Sequence, residues 1–367
     1  MKRETRMKFI TPMVTALACA FATSAFAAQA TFYQLPSGAF PHDVAPASDG
    51  TVWYSGQQKG ILGRFDPKTG KNEEIPLGPG AAPHGVIVGP DGAPWLTEGG
   101  QNAIARVDPL TRQVKLFPLP REFANANLNT ATFDRKGILW FTGQAGVHGR
   151  VDPATRAIKV FPLPKEFSRA NLNTAVIDKR GIVWFTGQNG VYGRVDPKTA
   201  KVDAWASPRG GGPYGITVTP AGEVWYASLR GDHIAHVDLD TGAATIVEPP
   251  RKGVGPRRIW SDSKGMLWAS FWNAGGIGRY DPAKKIWTHF PMPQSKSSTY
   301  AVYVDDKDRV WATDWAANAI QRFDPVGERY ETFPSDKRGA NVRQMLGRSG
   351  EAWGGESGND RLVVIRD

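Results

Sequence analysis

The sequence predicts an all-β fold, a β-propeller of eight four-stranded antiparallel blades, and three observations carry that prediction. Eight tryptophans (Trp53, Trp95, Trp140, Trp184, Trp225, Trp268, Trp311 and Trp353) recur at intervals of 42, 45, 44, 41, 43, 43 and 42 residues. Each stands in a strand-like phrase such as DGTVWYS, KGILWFT or RGIVWFT, and a turn phrase such as LGRFDP, GRVDP or QRFDP follows about eleven residues later. The 41 glycines and 28 prolines among 367 residues supply the turns that many short strands need.

Taken from the N-terminus, residues 1–27 read as a signal peptide and 28–367 as a single propeller domain. Lys2, Arg3, Arg6 and Lys8 precede an apolar run from Phe9 to Phe21, and Ala25-Phe26-Ala27 offers a small-residue cleavage site. A periplasmic or secreted protein is therefore expected. Cys19, the sole cysteine, lies in the leader, and Ala16 stands where a lipoprotein signal needs leucine. The mature chain then has no disulfide and no thiol chemistry.

Thr31–Pro36 matches the last strand of a repeat without the first three, and the C-terminal stretch from Val342 supplies three strands without the fourth. The two ends together complete one blade and close the ring. Seven blades is the alternative, but eight evenly spaced tryptophans leave no partial copy to discard. Within a repeat, an apolar strand such as Gly85–Val88 leads through a Pro-Asp-Gly turn to the tryptophan strand. A third strand ends at Arg-x-Asp-Pro, where proline presets φ and a following glycine takes the positive φ, and a fourth such as Val114–Leu119 closes the unit. One blade cannot bury both faces alone; stacking around an axis buries the tryptophans between sheets. The tryptophans and the Arg-x-Asp-Pro residues recur in nearly every copy and are structural, the latter expected to pair with backbone between blades.

The net charge of +10 is spread over every repeat with no basic tract, so a nucleic-acid partner is not expected. The leader holds four of the basic residues and one acidic one, which leaves the rest of the chain at +7. No segment of the body is long and apolar enough to span a membrane, and a monomer is expected.

Function is sought where the repeats disagree. Eleven residues before each tryptophan, on the strand that lines the channel, stand His42, His84, Asn129, Asn173, Tyr214, Arg257, Tyr300 and Val342. Three residues after each tryptophan stand Gly56, Glu98, Gly143, Gly187, Ser228, Phe271, Asp314 and Glu356. Convergent polar groups in a concavity mark a binding site, here for a small molecule or cyclic peptide at the channel mouth. His42, Asn129, Asn173, Tyr214, Arg257 and Tyr300 are the expected substrate contacts. Ring closure sets Glu356, His42, His84 and Glu98 on three consecutive blades. Imidazole beside carboxylate suits a general base or a divalent-metal site, and solvated polar residues at a water-filled mouth are the plainer reading.

The W-F-T phrase and the G-R-x-D-P turn run over nearly the whole chain. With Pro41-His42-Asp43-Val44 and Pro83-His84-Gly85-Val86 set 42 residues apart, and Glu98 fourteen after His84, the sequence resembles the streptogramin B lyase (virginiamycin B lyase) family of propellers. That resemblance implies His84 as proton acceptor, His42 as a substrate contact and Glu98 as a Mg2+ ligand. The implied reaction is a metal-assisted elimination that opens the ester C–O bond of a cyclic depsipeptide without consuming water. Ala82 stands where the family has its second metal-ligating glutamate, and Glu356, brought round by closure, is expected to replace it as a metal ligand. The histidine pair also lies in the first two repeats rather than the last two, and the known lyases have seven blades. Two further readings compete: a gluconolactonase-like lactonase built on Glu98, Asn129, Asn173 and Asp314, and a non-catalytic periplasmic binding propeller. The paired Asn-Leu-Asn-Thr-Ala segments at 127–131 and 171–175, with longer loops before them, are candidates to line the mouth opposite the histidines.

Overall fold

The computed structural model describes residues 28–367, so the leader and Cys19 lie outside the described residues. The described chain forms 32 strands in eight antiparallel four-stranded sheets. Blade one is built from Pro41–Pro46, Val52–Gly56, Ile61–Asp66 and Lys71–Pro76, in that order from the axis outward. Blades two to seven begin at Pro83, Leu128, Leu172, Pro213, Pro256 and Thr299 and repeat the pattern. Blade eight takes Val342–Arg348, Glu351–Glu356 and Arg361–Arg366 from one end of the chain and Gln29–Gln34 from the other, with Gln29 opposite Arg366 and Gln34 opposite Arg361. Asp360 fastens this seam by accepting from the backbone N–H of Gly38 at 2.8 Å and of Phe40 at 2.7 Å. Eight blades and closure by the N-terminal strand both agree with the sequence expectation; the seven-bladed alternative does not. Among the described residues no helix is long and apolar enough to cross a membrane.

The repeat's chemistry explains the regularity. Trp53, Trp95, Trp140, Trp184, Trp268, Trp311 and Trp353 are fully buried between neighbouring sheets. A buried indole N–H needs an acceptor. Trp140, Trp184, Trp268 and Trp311 each find it in the aspartate six residues earlier, at 2.8–3.1 Å. The same aspartate ties the turn between the first two strands, as Asp262 does for Lys264 and Met266. The Arg-x-Asp-Pro arginine lies over the tryptophan of its own blade, 5.4–5.9 Å from the ring centre at Arg64, Arg106, Arg150, Arg194 and Arg279. The expected pairing with the backbone of a neighbouring blade occurs at Arg150 and Arg194, which donate to the carbonyls of Pro197 and Leu239. Elsewhere the guanidinium stacked on tryptophan also meets an acid, Asp49 at Arg64, Asp91 at Arg106 and Glu328 at Arg279.

One irregularity is itself repeated. In blade one Pro41 pairs with Gly56 and Val44 with Tyr54, so three steps on the innermost strand match two on its neighbour. The same shift occurs at the start of the innermost strand in all eight blades. Such a β-bulge breaks the pleat's alternation and re-aims side chains. Two successive residues per blade, not one, are thereby released at the channel mouth.

Candidate functional site at the channel mouth

The mouth is held in place by a hydroxyl two residues after the tryptophan in six of the eight blades, Ala227 and Gly355 standing there in the other two. Ser55 Oγ accepts from the Asp43 N–H at 3.1 Å and donates to the His84 carbonyl of the next blade at 2.6 Å. Thr97 does the same between Gly85 and Asn129, and Thr142 between Thr130 and Asn173. Ser270 links Arg258 to Tyr300. Each hydroxyl satisfies the amide freed by the bulge in its own blade and fixes the ring residue of the following one.

On that frame the first two blades bring His42, Asp43 and His84 together, one ligand-type atom of each lying within 4.8 Å of the others. His42 Nδ1 lies 2.8 Å from Asp43 Oδ1, and the rings of His42 and His84 are 4.2 Å apart. Gly85 makes room for this: a Cβ there would sit 3.7 Å from Asp43 Oδ2 and 3.1 Å from the Asn129 carbonyl oxygen. His84 Nε2 faces the Asn129 amide nitrogen at 3.3 Å, while its Nδ1 is buried without a partner. Burial first, and then the neighbouring His42, lower His84 to about 3, so it is neutral at ordinary pH. Burial would raise the Asp43 carboxyl, but the hydrogen bond and charge of His42, with His84 and Arg258 behind it, lower it on balance. Ionised Asp43 accepts from His42 Nδ1–H, and in the neutral imidazole this contact places the lone pair on Nε2.

The opposite wall is cationic and aromatic. Arg257 is 7% exposed and lies between Tyr214 and Tyr300, its guanidinium carbon 4.1 and 3.3 Å from the two ring centres. Tyr300 stacks on Trp315 at 4.4 Å and 1°, and Trp315 meets Trp272 edge-on. Arg258, the second residue of its bulge, reaches across to Thr174 Oγ1 at 3.3 Å and also covers Tyr214. Arg343 lies over Trp315 at 4.9 Å with its Nε buried and unpartnered. Burial would raise the Tyr214 phenol, yet the charges of Arg258 and Arg257 bring it down to about 8. Tyr300 moves up, by burial and by the neighbouring Tyr214.

The structure thus groups His84 with His42 and Asn129, and Tyr214 with Arg257 and Tyr300. Asn173, also buried, accepts from Thr174 Oγ1. The second predicted ring does not join them. Glu98 is fully buried, and its Oε1 accepts from the Ala82 and Gly100 amides at 2.5 and 3.0 Å. Asp314 does the same for Ser298 and Ala317. Glu356 forms a buried ion pair with Arg361 at 2.6 Å, which in turn holds Asp336. These carboxylates tie down loops and the closing blade, and neither Glu98 nor Glu356 belongs to the His42–Asp43–His84 cluster.

A Mg2+ ion wants about six oxygen ligands in near-octahedral array. Glu98 offers one unpartnered oxygen, its carboxyl is pushed up by burial, Ala82 has no ligand atom and Glu356 is neutralised by Arg361. The expected Glu98–Glu356 ligand pair does not fit Mg2+. His42, Asp43 and His84 form a set able to hold a metal ion, with two nitrogens and one oxygen suited to a softer ion.

Asp43, Arg258 and Arg343 escaped the sequence reading because strict alternation assigns the tenth residue before tryptophan to the opposite face. The signal that finds Asp43 and Arg258 is the recurrent hydroxyl two residues after tryptophan, the partner of the bulged amide; Arg343 has Gly355 at that position and shows no such signal. A separate cavity of about 1300 Å3 opens among the turns at the other end of the inner strands in blades three to five. It is lined by Asp134, Asp178, Arg180, Arg194 and Lys198, whose aspartates serve the buried tryptophans, and it contains none of the ring residues.

Fold and mouth define a closed propeller with a histidine–carboxylate pair set against an arginine–tyrosine wall. The chain belongs to the virginiamycin B lyase family, whose model matches residues 18–199 and 166–366. No curated protein matches the sequence. Among solved structures, virginiamycin B lyase from Staphylococcus aureus is similar, with a TM-score of 0.66 and 23% identity over 78% of this chain and 94% of that one. A catalytically inactive histidine-to-alanine form of it with quinupristin scores 0.66 at 23% identity, over 78% and 96%. A streptogramin B lyase structure scores 0.66 at 18% identity, over 92% and 97%. The extracellular domain of a putative hybrid two-component system from B. thetaiotaomicron scores 0.58 at 13% identity, over 77% of this chain and 39% of that one. These structural likenesses establish the fold.

Proposed function

We propose that the protein is an exported lyase that cleaves an ester C–O bond by elimination, with the His42–Asp43 pair taking the α-proton. The carrying observation is the 2.8 Å contact between His42 Nδ1 and Asp43 Oδ1, which in the neutral imidazole leaves the lone pair on Nε2, with His84 beside the ring. A positioned imidazole of this kind contributes about 10²–10⁴ in rate. Family membership supports the reaction class, and the leader-like residues 1–27 support export. The proton passes from the α-carbon to His42 Nε2, the C–H electron pair becomes the new double bond, and the C–O pair departs with oxygen. Arg258 faces the charge that develops on the carbonyl oxygen, and the Tyr214 hydroxyl donates a hydrogen bond to the departing carboxylate oxygen. His84, with its Nε2 turned to Asn129, packs and desolvates the pair rather than receiving the proton first. No step passes through Mg2+.

Incubation with a cyclic depsipeptide such as quinupristin tests the reading. Ring opening at unchanged mass is the expected result; gain of one water indicates hydrolysis, and an intact ring removes this substrate. A metal ion held by His42, Asp43 and His84 is a second reading, favoured by their mutual approach within 4.8 Å. Elemental analysis of protein purified without chelator decides it, since a stoichiometric transition metal lost in His84→Ala is required.

A further inference from the structure

The mouth carries more positive charge than its own residues answer. Arg257, Arg258 and Arg343 converge there, while Asp43 is the single carboxylate of the same double ring. The other nearby acids are occupied: Glu98 and Asp314 by loop amides, Glu356 by Arg361. Arginines elsewhere in the repeat meet acids, as Arg106 meets Asp91 and Arg194 meets Asp203. Among the described residues the three at the mouth form no ion pair. Arg257 donates to the Tyr300 carbonyl at 3.3 Å, Arg258 to Thr174, and Arg343 keeps a buried Nε without an acceptor.

A guanidinium has five N–H donors, and burying one without an anion is costly. Here the cost is borne by a rigid frame, with Arg257 clamped between Tyr214 and Tyr300 and the stack continued through Trp315. A fork held in a fixed plane matches the two oxygens of a carboxylate. We propose that this wall is the seat of a substrate carboxylate, so that the substrate is an organic acid with a C–O bond at the carbon β to its carboxylate. Which bond is cut rests on the lyase reading above; the seat itself does not.

The chemistry is consistent with that geometry. An α-proton beside a carboxylate is removed only when the resulting dianionic enolate is neutralised, and Arg257 and Arg258 supply that charge opposite His42. The proton goes to His42 Nε2, the double bond forms between the α- and β-carbons, and the β-oxygen leaves with the C–O electron pair as a carboxylate oxygen that accepts a hydrogen bond from Tyr214. The products are an unsaturated acid and the second carboxylic acid released from the ester.

Titration calorimetry with 3-phenylpropanoate, its neutral amide and inorganic phosphate tests the seat without turnover. The carboxylate is expected to bind, the amide to bind at least about tenfold more weakly, and Arg258→Gln to lose about ten- to hundredfold in affinity. Arg257→Lys, which keeps the charge but not the fork, should retain phosphate better than phenylpropanoate, and His42→Ala should retain both. The inference falls if neither anion binds at tens of millimolar, if the amide equals the acid, or if Arg258→Gln changes nothing. Anion binding with no ester opened sinks the lyase reading and leaves the seat standing. Turnover of a neutral depsipeptide that neither anion inhibits does the reverse.

Discussion

His148 is fully buried and His84 half-buried, and desolvation lowers both to about 3, yet they occupy regions of opposite character. His148 lies on the third strand of blade three, packed between Trp140 at 5.7 Å and Phe185 at 5.6 Å, with neither ring nitrogen hydrogen-bonded. It occupies a position that is Leu62, Ile104 or Tyr192 in neighbouring blades, and it behaves as a flat apolar side chain. His84 sits where the bulge opens the sheet, against His42, Asn129 and the charges of Asp43 and Arg258. Burial causes both shifts. A depressed imidazole therefore does not mark a site; the groups within reach of it do.

The sharpest way to break the comparison is at the mouth. His42→Ala should lower kcat by about 10²–10⁴ with the fold intact by circular dichroism, while His148→Phe should leave kcat unchanged. Equal losses in the two variants would show that the histidines act through stability alone. Asp43→Asn should follow His42→Ala, because the amide presents a donor to Nδ1 and favours the wrong tautomer.

Ser55→Ala is expected to come next. It strands the Asp43 amide and the His84 carbonyl, at about 1–3 kcal/mol for each group left unsatisfied. Urea unfolding should show the loss, and a rise in KM should accompany it as the first two blades lose their common peg.

Acid sensitivity is a smaller effect with a definite sign. Below the ordinary imidazole value of 6.5 the unfolded chain binds a proton at His148 that the folded chain refuses down to about 3. Stability is therefore lost as pH falls through that window, at about 1.4 kcal/mol per pH unit. His148→Phe removes this term, so its advantage over the parent should grow between pH 6.5 and 5 in chemical unfolding. A constant difference across that range would mean that His148 is protonated in the folded state. Smallest of all, Arg64→Gln should cost about 0.5–1 kcal/mol by uncovering Trp53.

The fold was legible because it rests on chemistry that recurs: a buried indole written out eight times, with an acidic partner for its N–H and a stacked arginine in most copies. The closing blade was legible for the same reason, since Thr31–Pro36 and the stretch from Val342 read as two parts of one copy, and the structure pairs Gln29–Gln34 with Arg361–Arg366. The site was legible only by half. Counting from tryptophan finds His42, His84, Tyr214 and Arg257, because these break the repeat at one position. It does not find Asp43 or Arg258, because a bulge is a register event with no residue type of its own. Nor does counting reveal that Glu98 and Glu356 face loop amides and Arg361, since a carboxylate's partner is fixed by the loop's path.

The seam in blade eight has a topological consequence. Because Gln29 lies opposite Arg366, a short linker can join these two residues in a variant without residues 1–28, and new termini can be cut in any loop between blades. Blade order along the chain is then a matter of where the circle was opened, while adjacency around the circle is preserved. A histidine pair on the first two repeats and one on the last two are the same neighbours seen from different starting points. A circular permutant opened between Leu119 and Leu128 should carry His42 and His84 on its final two blades and keep the mouth unaltered.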